Sequence, residues 1–188
     1  MTLTSSSRHT DDMSNAGGGT VPKTAEMPTQ SGNGSPAAAG CVLPNDPQAL
    51  AELAARTMYE NDPASQALGA VVDRVGPGRA EMSMTVRRDM LNGHGTCHGG
   101  FIFALADSAF AFACNSRNDA TVASGATIDF LAPAFEGDVL TAQATESALA
   151  GRTGLYDVEV VNQQGRRIAL FRGRSYRIRG QVVPGEPA

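Results

Sequence analysis

His98-Gly99-Gly100-Phe101-Ile102-Phe103-Ala104-Leu105-Ala106-Asp107-Ser108-Ala109-Phe110-Ala111-Phe112-Ala113-Cys114-Asn115-Ser116 is the stretch that decides the fold. Residues 100–116 read as a helix. Apolar side chains surround it on all sides, so it is expected in the interior rather than on a surface. Asp107 breaks the pattern. Its neighbours three and four residues away are Phe103, Ala104, Phe110 and Ala111, and it lies too far past the helix start to act as a cap. A carboxylate in that position is unfavourable unless it is hydrogen-bonded or reaches a cleft. Two readings follow: a structural Asp bound to a backbone donor, or a functional one with a perturbed pKa. The densest apolar window, Phe101 to Cys114, carries this charge and is shorter than the ~20 residues of a membrane span.

Strand patterns surround the helix. Upstream, residues 70–75 and 79–86 flank Gly76-Pro77-Gly78, a turn signal. In the second run Ala80, Met82, Met84 and Val86 alternate with Glu81, Ser83 and Thr85, the period of a half-buried strand. Downstream, strands are expected at 121–131, 138–148, 154–162 and 167–178, the last two joined by Asn162-Gln163-Gln164-Gly165. Most connections are too short for parallel crossovers. The expectation is an α+β domain, an antiparallel sheet with one long buried helix on its face. Before the sheet, Asn45 or Asp46 with Pro47 starts a helix over 46–59, with Leu50, Leu53, Ala54, Thr57 and Met58 along one stripe. Asp62-Pro63 starts a shorter helical piece ending near Gly69.

Composition bounds the rest. The chain has 188 residues, 41% hydrophobic and 18% charged, enough for one domain with a tail. Residues 1–45 contain no aromatic residue and are rich in Ser, Thr, Gly, Pro and Asn. They read as a disordered tail, followed by a domain over 46–180 and a short C-terminal tail over 181–188. The formal charge of −4 supplies no field for a nucleic acid. Residues 1–30 lack the apolar core of a secretory signal. Three cysteines, Cys41, Cys97 and Cys114, make no disulfide framework, and a cytoplasmic location is expected.

Chemistry is expected at the helix start. His98-Gly99-Gly100 brings first-turn N–H groups without intrahelical partners and the positive end of the helix dipole. Such donors can polarise a carbonyl oxygen. From Gly99 to Asp107 is about 12 Å along a helix axis. One chain would struggle to aim both at one small reacting centre, and a site shared between two subunits is favoured. His94, Cys97 and His98 match no familiar zinc spacing. Cys97 beside a histidine is a possible nucleophile. Arg172 and Arg174 share one strand face, as phosphate ligands or as partners in surface ion pairs, and Arg152 lies in a turn.

The run Leu91-Asn92-Gly93-His94-Gly95-Thr96-Cys97-His98-Gly99-Gly100 with Ala104 to Ala111 resembles the PaaI type of hot-dog-fold acyl-CoA thioesterase. The likeness continues through Met58-Tyr59-Glu60-Asn61-Asp62, Thr127 to Leu131, Tyr156 to Gln164 and Ala169 to Gly173. It implies a hot-dog fold, an antiparallel sheet wrapped around one long central helix, in homodimers with composite sites and in homotetramers. It implies Asp107 as the catalytic carboxylate, the Gly99 N–H as the group that polarises the thioester carbonyl, and Asn92 and His98 as positioners of water or substrate. The substrates it implies are aromatic acyl-CoA thioesters such as phenylacetyl-CoA and its hydroxylated derivatives. The residues expected to hold the substrate are Gly100, Ser124, Arg152 and Arg174. No metal or cofactor is expected beyond the CoA of the substrate, and no nucleic acid or membrane partner. A hot-dog enoyl-CoA hydratase and a non-catalytic acyl-CoA-binding regulator are the rival readings.

Overall fold

The computed structural model describes residues 42–187. In chain order it contains β1 (Val42–Leu43), α1 (Pro47–Glu60), α2 (Pro63–Leu68), β2 (Val71–Gly76), β3 (Arg79–Thr85), a 3₁₀ turn (Arg88–Met90), α3 (Gly99–Asn115), β4 (Asp119–Phe130), β5 (Val139–Ala150), β6 (Thr153–Asn162), β7 (Arg167–Gln181) and β8 (Glu186–Pro187). Six strands form one antiparallel sheet in the order β2-β3-β5-β6-β7-β4. The hairpins β2–β3, β5–β6 and β6–β7 use short turns. The long passage from β3 to the opposite edge carries α3 across the sheet's inner face.

The local chemistry explains the elements. Asp46 accepts from the Ala49 N–H at 2.9 Å with Pro47 in the first turn, and Asp62 does the same for Ser65 ahead of Pro63. Ala80, Met82, Met84 and Val86 are all buried, as their alternation requires. The buried face of α1 centres on Ala51, Ala54 and Ala55, with Leu50, Leu53, Thr57 and Met58 only half-buried. Small side chains let the helix lie close, which displaces the stripe expected from the larger residues.

Around α3 the core is aromatic. Phe110 stacks edge-on to Tyr156 with centroids 5.4 Å apart, and Phe103 does so to Phe171 at 5.4 Å. The Phe110 ring lies where a side chain at Gly173 would be: a Cβ there would meet it at 2.8 Å. This glycine lets the sheet come down onto the helix.

Two expectations differ from the structure. The α3 helix is not buried all round: Gly100 is exposed and Phe103, Ala104, Asp107, Ser108 and Ala111 are half-buried, leaving one open stripe in a single chain. The ordered fold also reaches past 46–180. β1 pairs in parallel with β8, and Leu43 and Val183 are buried. Asn118, in the left-handed region at φ 66°, holds this corner, accepting from the Val183 N–H at 2.7 Å and donating to its carbonyl at 3.0 Å. The remainder of the expected tail, 1–41, lies outside the described residues.

Candidate active site

The loop before α3 is organised by Asn92. Its side-chain oxygen accepts from the backbone N–H of His94 at 2.8 Å and of Thr96 at 3.3 Å, and its amide donates to the Thr96 hydroxyl at 3.0 Å. The loop is tied to the body by the Cys97 N–H to the Ala134 carbonyl and the His98 N–H to the Met90 carbonyl, both 2.8 Å. The next residues are thereby fixed as the first turn of α3.

His98 is the N-cap of that helix. Its Nδ1 accepts from the Gly100 N–H at 3.0 Å, which places the ring proton of the neutral imidazole on Nε2. The Gly100 N–H is therefore spent inside the cap. The Gly99 N–H has no acceptor among the described residues, so it is the donor left to meet a ligand oxygen. A Cβ at Gly99 would stand 2.9 Å from the ring tip of Phe130, itself 53% exposed.

Asp107 sits on the open stripe of α3, half-buried, with no hydrogen-bond partner among the described residues. The donor that a structural role requires is missing. Burial raises its carboxyl pKa above the ordinary carboxylate value. A carboxylate that takes a proton from water or attacks carbon must be ionised. The acid limb of kcat/KM is accordingly expected above the ordinary aspartate value of about 4. A pH profile of initial rates checks this; a limb at or below that value would remove Asp107 from the reaction.

The other expected residues are dispersed within one chain. Gly100 joins His98 in lining a cavity of about 450 Å³ between α2 and α3. Ser124, at a bulge in β4, donates to the Arg174 carbonyl at 3.1 Å, and the Arg174 guanidinium lies over Gly125. Arg152, in the β5–β6 turn, donates to the Arg177 carbonyl and stacks over Tyr176 at 4.9 Å. It shares a cleft with Cys114 at the far end of α3 from Gly99. Arg172 is bound to Asp157 at 2.6 Å, the surface ion pair of the two arginine readings. Among the described residues, His94, Cys97 and His98 do not converge as metal ligands. Burial pushes the Cys97 thiol up to about 11, the wrong direction for a nucleophile.

Sequence reasoning missed Ser65 and Ser108. Ser65 is 2% exposed, and its hydroxyl meets that of Ser108 at 2.9 Å in the wall of the 450 Å³ cavity. The Asp62-Pro63 cap signal marks Ser65 as a third-position helix residue, but nothing in the spacing joins it to Ser108.

Comparison with known proteins places this geometry. The model of the thioesterase superfamily matches residues 94–169. The acyl-coenzyme A thioesterase PaaI of Escherichia coli is 54% identical over 129 residues, 69% of this chain and 92% of that protein. Its structure, from the phenylacetic acid degradation operon, superposes with a TM-score of 0.71 at 51% identity over 72% of this chain and 99% of that one. The phenylacetic acid degradation protein PaaI of Thermus thermophilus, solved as a variant, gives 0.60 at 45% identity over 62% and 100%. A Streptococcus mutans protein solved with acetyl-CoA bound gives 0.54 at 26% over 56% and 84%. With the antiparallel sheet around α3 and the motif from His94 onward, these likenesses establish that the chain belongs to the hot-dog-fold thioesterase superfamily, among the PaaI-type acyl-CoA thioesterases.

Proposed function

We propose that this enzyme hydrolyses aryl-acetyl-CoA thioesters, phenylacetyl-CoA or its ring-hydroxylated forms, to the free acid and CoA in phenylacetate catabolism in the cytoplasm. The observation that carries the reading is Asp107, a half-buried carboxylate with no partner among the described residues on a mostly apolar stripe. In the proposed reaction Asp107 takes a proton from water as the hydroxyl oxygen bonds to the thioester carbon. The carbonyl oxygen becomes an oxyanion against the Gly99 N–H. Collapse breaks the carbon–sulfur bond, and the CoA thiolate recovers the proton from Asp107. The Nε2–H of His98 and the second amide hydrogen of Asn92 orient water or carbonyl. Direct attack by Asp107 would form a mixed anhydride, and label entering the Asp107 carboxylate under single turnover in labelled water, by hydrolysis at its enzyme-side carbonyl, would reveal it.

Arg152 and Arg174 have no carboxylate partner among the described residues, which suits them to the CoA phosphates. Ser124 and Gly100 complete the proposed substrate contacts.

Two features support a composite site in a homodimer, within a homotetramer. The open stripe of α3 presents apolar surface beside Asp107, and β4 is an edge strand paired, among the described residues, only with β7. Both demand cover. If the Gly99 donor of one protomer serves the Asp107 of the other, two different inactive variants complement each other. Asp107→Asn and Asn92→Ala chains, unfolded together and refolded, are expected to regain a substantial part of one site's activity per mixed dimer. Mixtures that stay inactive would place both groups in one chain's site.

Release of free thiol from phenylacetyl-CoA, read with a thiol reagent, tests the function. A hydratase or a binding regulator releases none.

A further inference from the structure

The cavity between α2 and α3 is lined mostly by apolar side chains, with Arg87, whose guanidinium donates to Asp89 and to the Leu68 carbonyl, also at its wall. Ala64, Ala67, Leu68, Phe101 and Ala104 line it, with His98 and Gly100 at the helix start and the Ser65–Ser108 pair at its other end. His98 and Gly100 flank Gly99, so the cavity opens beside the N–H that the proposed reaction uses to polarise the carbonyl. A hydroxyl has one hydrogen to give, and here its direction is fixed. The Ser65 hydroxyl donates to Asp62 Oδ2 at 2.5 Å, a carboxylate oxygen that can only accept. Asp62 is itself held by its other oxygen, which accepts from the Ser65 N–H at 3.0 Å. In the 2.9 Å contact between the two serines, Ser108 is therefore the donor. Its hydrogen is spent, and what it turns to the cavity is a lone pair.

We infer that Ser108 is a specificity residue that accepts a hydrogen bond from a hydroxyl on the acyl group, with Ser65 and Asp62 as positioning residues that polarise it. The inference rests on the thioesterase reading and adds a sign to it. A lone pair there welcomes a substituent that carries a hydrogen. It disfavours one of similar size that offers only lone pairs, because two acceptors then face each other without a proton.

The test compares matched CoA thioesters, the 2-, 3- and 4-hydroxyphenylacetyl esters against the corresponding methoxy esters, by kcat/KM for thiol release. At the ring position facing Ser108 the hydroxy ester is expected to be favoured by about tenfold or more, the effect of one hydrogen bond and its unpaired alternative. Ser108→Ala is expected to collapse that ratio to about threefold or less. Ser65→Ala is expected to raise the methoxy ester relative to the hydroxy ester, because it frees the Ser108 hydrogen to donate. A purely structural serine pair would not move a ratio in that direction. Each ratio is internal to one variant, so a loss of folded protein does not affect it. A ratio near one at every ring position, or one that Ser108→Ala leaves unchanged, overturns the assignment of Ser108 while leaving the thioesterase reading in place. Absence of thiol release from every ester would overturn that reading, and this inference with it.

Discussion

Asp107→Asn is expected to lower turnover of phenylacetyl-CoA a hundredfold or more, while the stability of the fold holds or rises. The amide has nearly the same shape but is neither a base nor a useful nucleophile. Loss of a general acid–base group typically reduces a rate by about 10²–10⁴. Substrate affinity is expected to change much less, since the proposed CoA contacts lie elsewhere. The stability side follows from the missing partner. The carboxylate is half-buried without a hydrogen bond among the described residues, and burial raises its pKa, so the folded state binds its proton more tightly than the unfolded chain. Its ionisation therefore weakens the fold as pH rises between the ordinary carboxylate value and the raised one. Asparagine removes that loss, and the variant's advantage is expected at neutral pH and to shrink as pH is lowered through that window. A structural aspartate predicts the reverse: a fold weaker by roughly 1–3 kcal/mol and turnover reduced only with the folded fraction. Turnover and denaturant midpoint, measured on one preparation, separate the two. A variant that is less stable but fully active per folded site would overturn the mechanism.

The second large effect is expected from Gly99→Pro, which removes one N–H and little else. Proline is well tolerated in the first turn of a helix, where its missing donor has no intrahelical role. The residue before proline must be extended, and His98 already is, at φ −63° and ψ 132°. Gly99→Ala supplies the control. It places the same Cβ against the exposed Phe130 ring, which can swing aside, but keeps the donor. Turnover is expected to fall by about 10²–10³ in the proline variant, the usual effect of deleting an oxyanion-hole donor, and by about tenfold or less in the alanine variant. Circular dichroism and melting temperature establish that both remain folded. Equal rates for the two variants would remove the Gly99 N–H from the reaction.

The reliability of the sequence reading depended on the range of the signal. The clean alternation of β3, the Asn162–Gly165 turn and the Asp46-Pro47 and Asp62-Pro63 starts are local, and each element lies within a residue or two of its expected place. What escaped was long-range or symmetric. A helix apolar on every side has the same composition whether its last stripe meets the core or lies open, so the half-buried row from Phe103 to Ala111 could not be seen. The two-residue strands β1 and β8 carry no period, and their pairing, next to the Asn118–Val183 corner, is a contact between the two ends of the domain. At the site, Asp107 stood out because charge in an apolar run is conspicuous. The N-cap bond of His98 and the Ser65–Ser108 pair involve polar residues in polar-looking surroundings, and they become visible only when tertiary distances are known.

The burial of Cys97 and Cys114 bears on how the enzyme is assayed. Burial pushes these thiols up to about 11 and about 12. At pH 8 both are held overwhelmingly as thiols, and it is the thiolate that reacts with disulfide or maleimide reagents. Such a reagent added during turnover is expected to titrate the CoA product far faster than either buried thiol, so colour can be read continuously with Cys97 and Cys114 largely unmodified.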